Sequence, residues 1–457
     1  MHSKGKIVLK RKLYDYLLRW KEKDRSSRKP LVVKGSRQVG KTTIVRDFAE
    51  KNYENVVYLD FRKMKGLRGA FNGDFDIDSI VAQLTARMPD AKVVPGKTVF
   101  IFDEVQDCNN ARASLKYFHL DGRYDVICTG SMLGIKGYNR DETDNRRGVP
   151  VGFEEIVTMH PLDFEEFLWA YGITDDAIAM ARECFEKRKQ LPQVLHETFL
   201  ELFRYYICVG GMPEVVLAFL ENKDMNAAYA VQQQILTEYK SDFGAHIDSK
   251  GEISYDLTLR QRILECFNSI PAQLAKENKK FQYTVMKKNA KGREYKEPLE
   301  WLADAGIIAK CHNLSLLQMP LSAYKEESVF KVYLQDCGLL MGMLDPGTAG
   351  LVVSGDLGFF KGAIYENIIA DAFCKAGREL FYFSKDSNLE IDFVTFWNGQ
   401  TTIIEVKARS GDSKSAKTVL SDNRNDVEKC IKFTAQNIGE VGQMLTLPYY
   451  LAFLVAP

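Results

Sequence analysis

The chain has 457 residues, 46% hydrophobic and 27% charged, with a formal net charge of +1. Its length suits about three domains, and its near-neutral balance excludes a global field selecting nucleic acid or membrane, so any such binding must come from local patches. The nine scattered cysteines form no C-x-x-C pair, which argues against a disulfide framework or zinc knuckle. Without a secretory start or an apolar run of about 18 residues, the chain reads as cytoplasmic with no membrane partner.

In chain order, a helix is expected over 8–22, where Leu9, Leu13, Leu17 and Leu18 recur at helical spacing. Strands are expected at 31–34, 56–61, 98–103, 125–130 and 155–159. Helical stretches separate most of them, the pattern of a parallel sheet covered by helices. Residues 163–250 read as mostly helical. The order helix, helix, strand, helix over 259–307 suits a winged helix. The Gly-rich stretch DPGTAGLVVSGDLG (345–358) reads as a boundary. Beyond it α/β character returns, with a helix around Ala363–Ala376. The expected divisions are an ATPase core at 1–170, a helical lid or connector at 171–257, a winged-helix-like module at 258–350 and a C-terminal domain at 351–457.

The first strand leads into Gly35, Ser36, Arg37, Gln38, Val39, Gly40, Lys41 and Thr42, followed by Thr43, a full G-x-x-x-x-G-K-[ST] match. The glycines let backbone N–H groups wrap a phosphate, and the following helix adds its N-terminal dipole. Lys41 is expected to reach the β- and γ-phosphates of ATP, and Thr42 to ligate Mg²⁺. The strand Thr98–Asp103 runs into Glu104, putting two carboxylates at the sheet edge where ligands bind. Asp103 would hold Mg²⁺ and Glu104 would polarise the attacking water. A third strand ends Thr129-Gly130-Ser131, where Thr129 or Ser131 meets the γ-phosphate or the water, or merely caps a helix.

Together these three strand ends resemble the AAA-type P-loop ATPases. With His160-Pro161-Leu162-Asp163-Phe164-Glu165-Glu166-Phe167 and Gly210-Gly211-Met212-Pro213, the chain resembles a prokaryotic family joining such an ATPase to a C-terminal nuclease-like domain. The resemblance implies a sheet ordered 5-1-4-3-2, a helical or winged-helix lid and ring assembly as a homo-oligomer. Members often carry a basic residue after a glycine before the P-L-x-x-F-E-E-F stretch, but here Phe153 follows Gly152. An arginine finger would then come from Arg140, Arg146 or Arg147 in a charged loop that otherwise reads as solvated.

Residues 276–296 hold Lys276, Lys279, Lys280, Lys287, Lys288, Lys291, Arg293 and Lys296 against Glu277 and Glu294, with Phe281, Tyr283 and Tyr295 interleaved. This reads either as a DNA-binding face with lysines on phosphates or as the solvated face of a lid that meets a protein partner.

Near the C-terminus, Asn398-Gly399 suits a two-residue hairpin turn. That register sets Ile391 against Val406 and Phe393 against Ile404 on one face. On the other, Glu390 meets Lys407 and Asp392 meets Glu405, a like-charge pair that is tolerable around a divalent cation. Asp392, Glu405 and Lys407 resemble the PD-(D/E)xK nuclease core, with Glu366 as the helical acid. The resemblance implies a restriction-endonuclease-like α/β fold and a second metal, Mg²⁺ or Mn²⁺.

The expected whole is an α/β P-loop ATPase, Mg²⁺-dependent and oligomeric, coupling its nucleotide state to a nuclease-like domain that handles DNA or a partner. The alternatives are an ATP-gated metal-dependent DNA nuclease and a slow nucleotide switch that binds without significant turnover.

Overall fold

Five apolar segments pair as parallel strands β1 (Leu31–Gly35), β2 (Asn55–Asp60), β3 (Thr98–Asp103), β4 (Asp125–Ser131) and β5 (Glu155–Thr158), ordered β2-β3-β4-β1-β5 in a computed structural model. This is the expected order, read from the opposite edge. The structure describes residues 8–133, 152–247, 253–277, 279–356, 358–385, 389–407 and 413–455. Every residue of β3 is buried, as befits a parallel strand covered on both faces. Helices Lys41–Asn52, Ile77–Arg87 and Asn109–Asp121 lie between consecutive strands.

Phe102 packs edge-on against Phe61, Phe71 and Phe118 with ring centroids 5.4–5.8 Å apart. Each such pair adds about 0.5–1.5 kcal/mol beyond its buried area. The cluster therefore anchors β3 one residue before Asp103. The first helix spans Lys12–Glu22, shorter than expected, and buries Leu13, Leu17 and Trp20, with Leu9 ahead of it. Just before this helix the buried Arg11 donates to Val39 O at 3.0 Å and His160 O at 2.6 Å. It thus ties the phosphate loop to the end of the first unit.

Two compact units result: residues 1–160 with 244–260, and residues 161–243 with 261–457. The first also contains a short antiparallel pair, β6 (Ala245–Ile247) and β7 (Ile253–Tyr255).

The second unit opens with helices Phe164–Tyr171, Asp175–Glu186, Gln193–Val209, Pro213–Asn222 and Met225–Asp242. Asp163 and Glu166 close a reciprocal capping box at 2.9 and 3.1 Å, so the L-D-F-E-E-F stretch is a helix start that buries Phe164 and Phe167. Gly210 and Gly211 form a close joint: a Cβ on Gly211 would lie 2.0 Å from Leu162 O. The Gly211 amide donates to Asp336 Oδ2 at 2.7 Å, and Leu162 N donates to Gly211 O at 2.7 Å.

An eight-stranded mixed sheet completes this unit. Its strands are β8 (Ile308–Leu314), β9 (Lys325–Leu334), β10 (Leu380–Ser384), β11 (Glu390–Trp397), β12 (Gln400–Val406), β13 (Lys429–Thr434), β14 (Gly439–Val441) and β15 (Met444–Pro448). They are ordered β14-β15-β13-β12-β11-β10-β8-β9. Between helices Leu257–Leu274 and Gly292–Asp304 lies a 3₁₀ turn, Tyr283–Val285, where a strand was expected. The strands that follow, β8 and β9, join the large sheet through β8 and β10. Four of the segment's first six residues are basic or amide-bearing, which leaves too little apolar alternation for a strand.

The hairpin turn forms as expected, with Asn398 and Gly399 at φ 48° and 80°. Pairing runs from Trp397↔Gln400 to Phe393↔Ile404. The ladder ends there, one pair short of the expected Asp392 and Glu405, and the Asp392 carboxylate takes the Val406 amide at 2.7 Å. No helix among the described residues is long and apolar enough to cross a membrane. None of the nine cysteines is disulfide-bonded, and seven are buried.

Candidate functional site

The phosphate loop links β1 to helix Lys41–Asn52. Gly35 is enclosed, since a Cβ there would lie 2.3 Å from Met159 O. Gly40 sits at φ 93°, a conformation favouring glycine, and Gln38 at φ 65°. Ser36 and Val39 are buried, Arg37 and Gln38 exposed, Thr42 and Thr43 half-buried. Lys41 is buried and donates to Gly35 O at 3.0 Å and Ser36 O at 2.8 Å. Burial pulls its ammonium down to about 8, against the opposing pull of Glu104 and Asp103.

Asp103 gathers three hydroxyls. Thr42 Oγ1 donates to its Oδ1 at 2.8 Å, Thr129 Oγ1 donates to the same oxygen, and Tyr58 OH reaches Oδ2 at 2.5 Å. Burial and then the bond to Asp103 raise the Tyr58 phenol's pKa. Glu104 adopts φ 52°, a strained left-handed conformation for a side-chain residue. Its carboxylate takes Arg62 Nη2 at 3.2 Å and Gln106 Nε2 at 2.5 Å. Ser131 ends β4 opposite Gly35 in register.

The structure thus brings together Gly35–Thr43, Asp103, Glu104, Thr129 and Ser131 at one end of one sheet. Sequence reasoning missed Tyr58, Arg62 and Gln106. The signal was the sheet order: β2 neighbours β3, so Tyr58 and Arg62 flank the strand ending in Asp103. Arg140, Arg146 and Arg147 lie outside the described residues. The donor set of Thr42 and Asp103, hard oxygens already converging, fits Mg²⁺.

The second acid cluster lies in the second unit. Glu366, on helix Lys361–Lys375, is 5% exposed and receives Lys279 Nζ and, at 3.2 Å, Tyr333 OH. Lys331 is fully buried, 2.5 Å from Glu390 Oε1 and 3.9 Å from Glu366 Oε2. Burial works to raise the Glu366 pKa, but Lys279 and Lys331 together hold it below the usual glutamate range. Burial and then the charge of Glu366 push Asp392 upward. Glu405 is buried; its Oε1 takes the Ala416 amide at 3.2 Å. Lys407 stands 3.3 Å from Oε2 as an ion pair outside hydrogen-bonding geometry, so that oxygen takes no hydrogen bond.

This set does not fit the expected second metal. Among the described residues no three His, Cys, Asp or Glu side chains gather to hold an ion, and the third acid, Glu366, is already answered by a lysine and a phenol. The expected pairing of Glu390 with Lys407 is also corrected: Glu390 binds Lys331, and Lys407 binds Glu405. Lys331 offered no motif to find, being one lysine in the strand SVFKVYL.

An AAA domain model matches residues 27–168. Two models described as domains of unknown function match residues 200–349 (DUF8612) and 361–450 (DUF4143). No curated protein matches the chain. Among solved structures, the Walker-type ATPase PABY2304 of Pyrococcus abyssi is similar at 14% identity, over 74% of this chain and 96% of its own, with TM-score 0.41. AMPPCP-bound DnaA from Aquifex aeolicus is similar at 9% identity, over 64% and 87%, with TM-score 0.28. PCH-2 of C. elegans is similar at 12% identity, over 50% and 68%, with TM-score 0.25. By the matching family model and the sheet order β2-β3-β4-β1-β5, residues 27–168 carry an AAA-type P-loop ATPase fold.

Proposed function

We propose that the chain binds ATP on Gly35–Thr43, hydrolyses it, and couples the nucleotide state to the second unit. One observation carries this reading: the two carboxylates that end β3 are held in different ways. Asp103 is fixed by three hydroxyls beside Lys41 and Thr42, while Glu104 is turned out by its left-handed backbone and held by Arg62 and Gln106.

In this mechanism Lys41 leaves its two loop carbonyls for the β- and γ-phosphates. Thr42 and Asp103 would hold Mg²⁺, which when bound neutralises charge developing on the phosphates. Glu104 takes a proton from water as the water oxygen bonds to the γ-phosphorus and the bond to the β–γ bridging oxygen breaks, releasing ADP. Thr129 and Ser131 meet the γ-phosphate side. The remaining charge would be met by Arg140, Arg146 or Arg147 of a neighbouring copy in a ring, so turnover per chain should rise with protein concentration. In this reading residues 1–170 are the motor, 171–257 the connector, 258–350 a module contacting DNA or a partner, and 351–457 a nuclease-like domain. Lysine neutralisation of Glu366 favours binding over cleavage for that last part. The cytoplasm is the proposed location.

Glu104→Gln tests the assignment. Steady-state ATP turnover should fall by about 10²–10⁴-fold with ATP binding kept. Unchanged turnover would sink it.

A further inference from the structure

We propose that residues 280–296 are a docking platform for the phosphate backbone of duplex nucleic acid. This rests on the reading that the second unit handles such a polymer. Lys287, Lys288, Lys291, Arg293 and Lys296 are exposed, and their side chains have no ion pair or hydrogen bond among the described residues. In a chain of net charge +1, the stretch 276–296 holds eight Lys or Arg against two acids.

A charge run alone is usually a solvated face. Here the scaffold beneath the cations is built. The Phe281 amide donates to Phe330 O at 2.8 Å, and the two rings stack with centroids 5.7 Å apart. The Gln273 side-chain amide clamps the Gln282 backbone both ways, at 2.8 and 3.1 Å. Lys279 is pinned in the acid cluster by Glu366. Tyr295 OH donates to Glu265 at 2.5 Å. Gly292 admits the Tyr283 ring, which a Cβ would meet at 3.1 Å. A backbone fixed at so many points presents its cations without ordering itself on binding, which lowers the entropic cost of association.

The same scaffold selects the occupant. The interleaved aromatics are spent internally: Phe281 and Tyr295 are buried, and Tyr283 packs edge-on to Phe281. With Tyr283 half-buried, no fully exposed ring among the described residues of this stretch offers a platform for unstacked bases, which single-strand binders require. Fixed lysines and an arginine without base-reading partners suit the regular phosphates of a duplex, read without sequence preference.

Fluorescence anisotropy of a short mixed-sequence duplex with the full chain tests this. Lys287→Glu, Lys288→Glu and Lys291→Glu together should weaken binding at least tenfold. They should also flatten the slope of log affinity against log salt by about 2–3, at about 0.9 per lost phosphate contact. Should that variant fail to fold, judged by its thermal midpoint, Lys288→Ala alone should lower the slope by about 0.9. Equal duplex binding by the variants overturns the proposal. So does a wild-type chain that prefers single strands, an acidic peptide or anionic vesicles. Failure of the ATP reading would show separately, as absent nucleotide binding with duplex binding retained.

Discussion

The two acid clusters of this chain use the same residue types and answer them with different neighbours. Asp103 is met by three hydroxyls, from Thr42, Thr129 and Tyr58. Hydroxyls stabilise a carboxylate without cancelling its charge, so the site keeps its demand for a cation. Glu366 is met by Lys279 and, farther off, by Lys331. Ammonium groups cancel the charge, and a buried pair closed in this way has little left to offer a metal. The lesson is that gathered acids do not by themselves make a metal site; the charge of what surrounds them decides.

The comparison breaks most visibly at Lys331. Replacing this fully buried lysine by Met leaves Glu390 and Glu366 short of a cation, and should cost about 3–5 kcal/mol in denaturant unfolding of the full chain. A cost near zero would mean that the cluster is not closed by lysines.

A smaller effect sharpens the first cluster. The Lys41 ammonium, lowered by burial to about 8, is protonated below that pH and lost above it. ATP affinity should therefore fall about tenfold for each 1.4 kcal/mol of lost phosphate contact as pH rises through about 8, with proton uptake on binding at higher pH. A flat profile measured by calorimetry up to pH 9 would contradict the role given to Lys41.

The smallest effect concerns Asp392. Burial and Glu366 raise its pKa, so the folded chain keeps a proton that the unfolded chain has released. Its contribution to stability then falls as pH rises through the folded value. Asp392→Asn can still accept from the Val406 amide, and should stabilise the chain by about 1–2 kcal/mol at pH 8 and by less at pH 6. Asp371, whose carboxyl burial raises to about 7, leaves the same pH trend in the variant at lower amplitude. Destabilisation by Asp392→Asn at pH 8 would favour a bound cation instead.

Much of the first unit was legible beforehand because its signals are local. A phosphate loop needs its glycines, lysine and threonine in consecutive positions, and Phe102 leads into Asp103 within one strand. The hairpin turn at Asn398-Gly399 was legible for the same reason. The partners of the acids were not. Tyr58 and Arg62 are separated from Asp103 and Glu104 by more than forty residues; Lys279 is 87 residues from Glu366. Such pairs exist only once strands and helices are placed side by side.

The sequence by itself determined the strand–loop–helix that cradles phosphate, the acids after β3, the order of the parallel sheet through its family resemblance, and the basic run at 276–296. Tertiary structure decided which acids remain open to a cation. It directed hydroxyls to Asp103 and a lysine to Glu366, and it ended the hairpin pairing where Asp392 takes a backbone amide. The physical reason is range. Backbone conformation and turn chemistry are set within a few residues, whereas the charge state of a buried carboxylate is set by whatever the fold brings within a few ångströms of it.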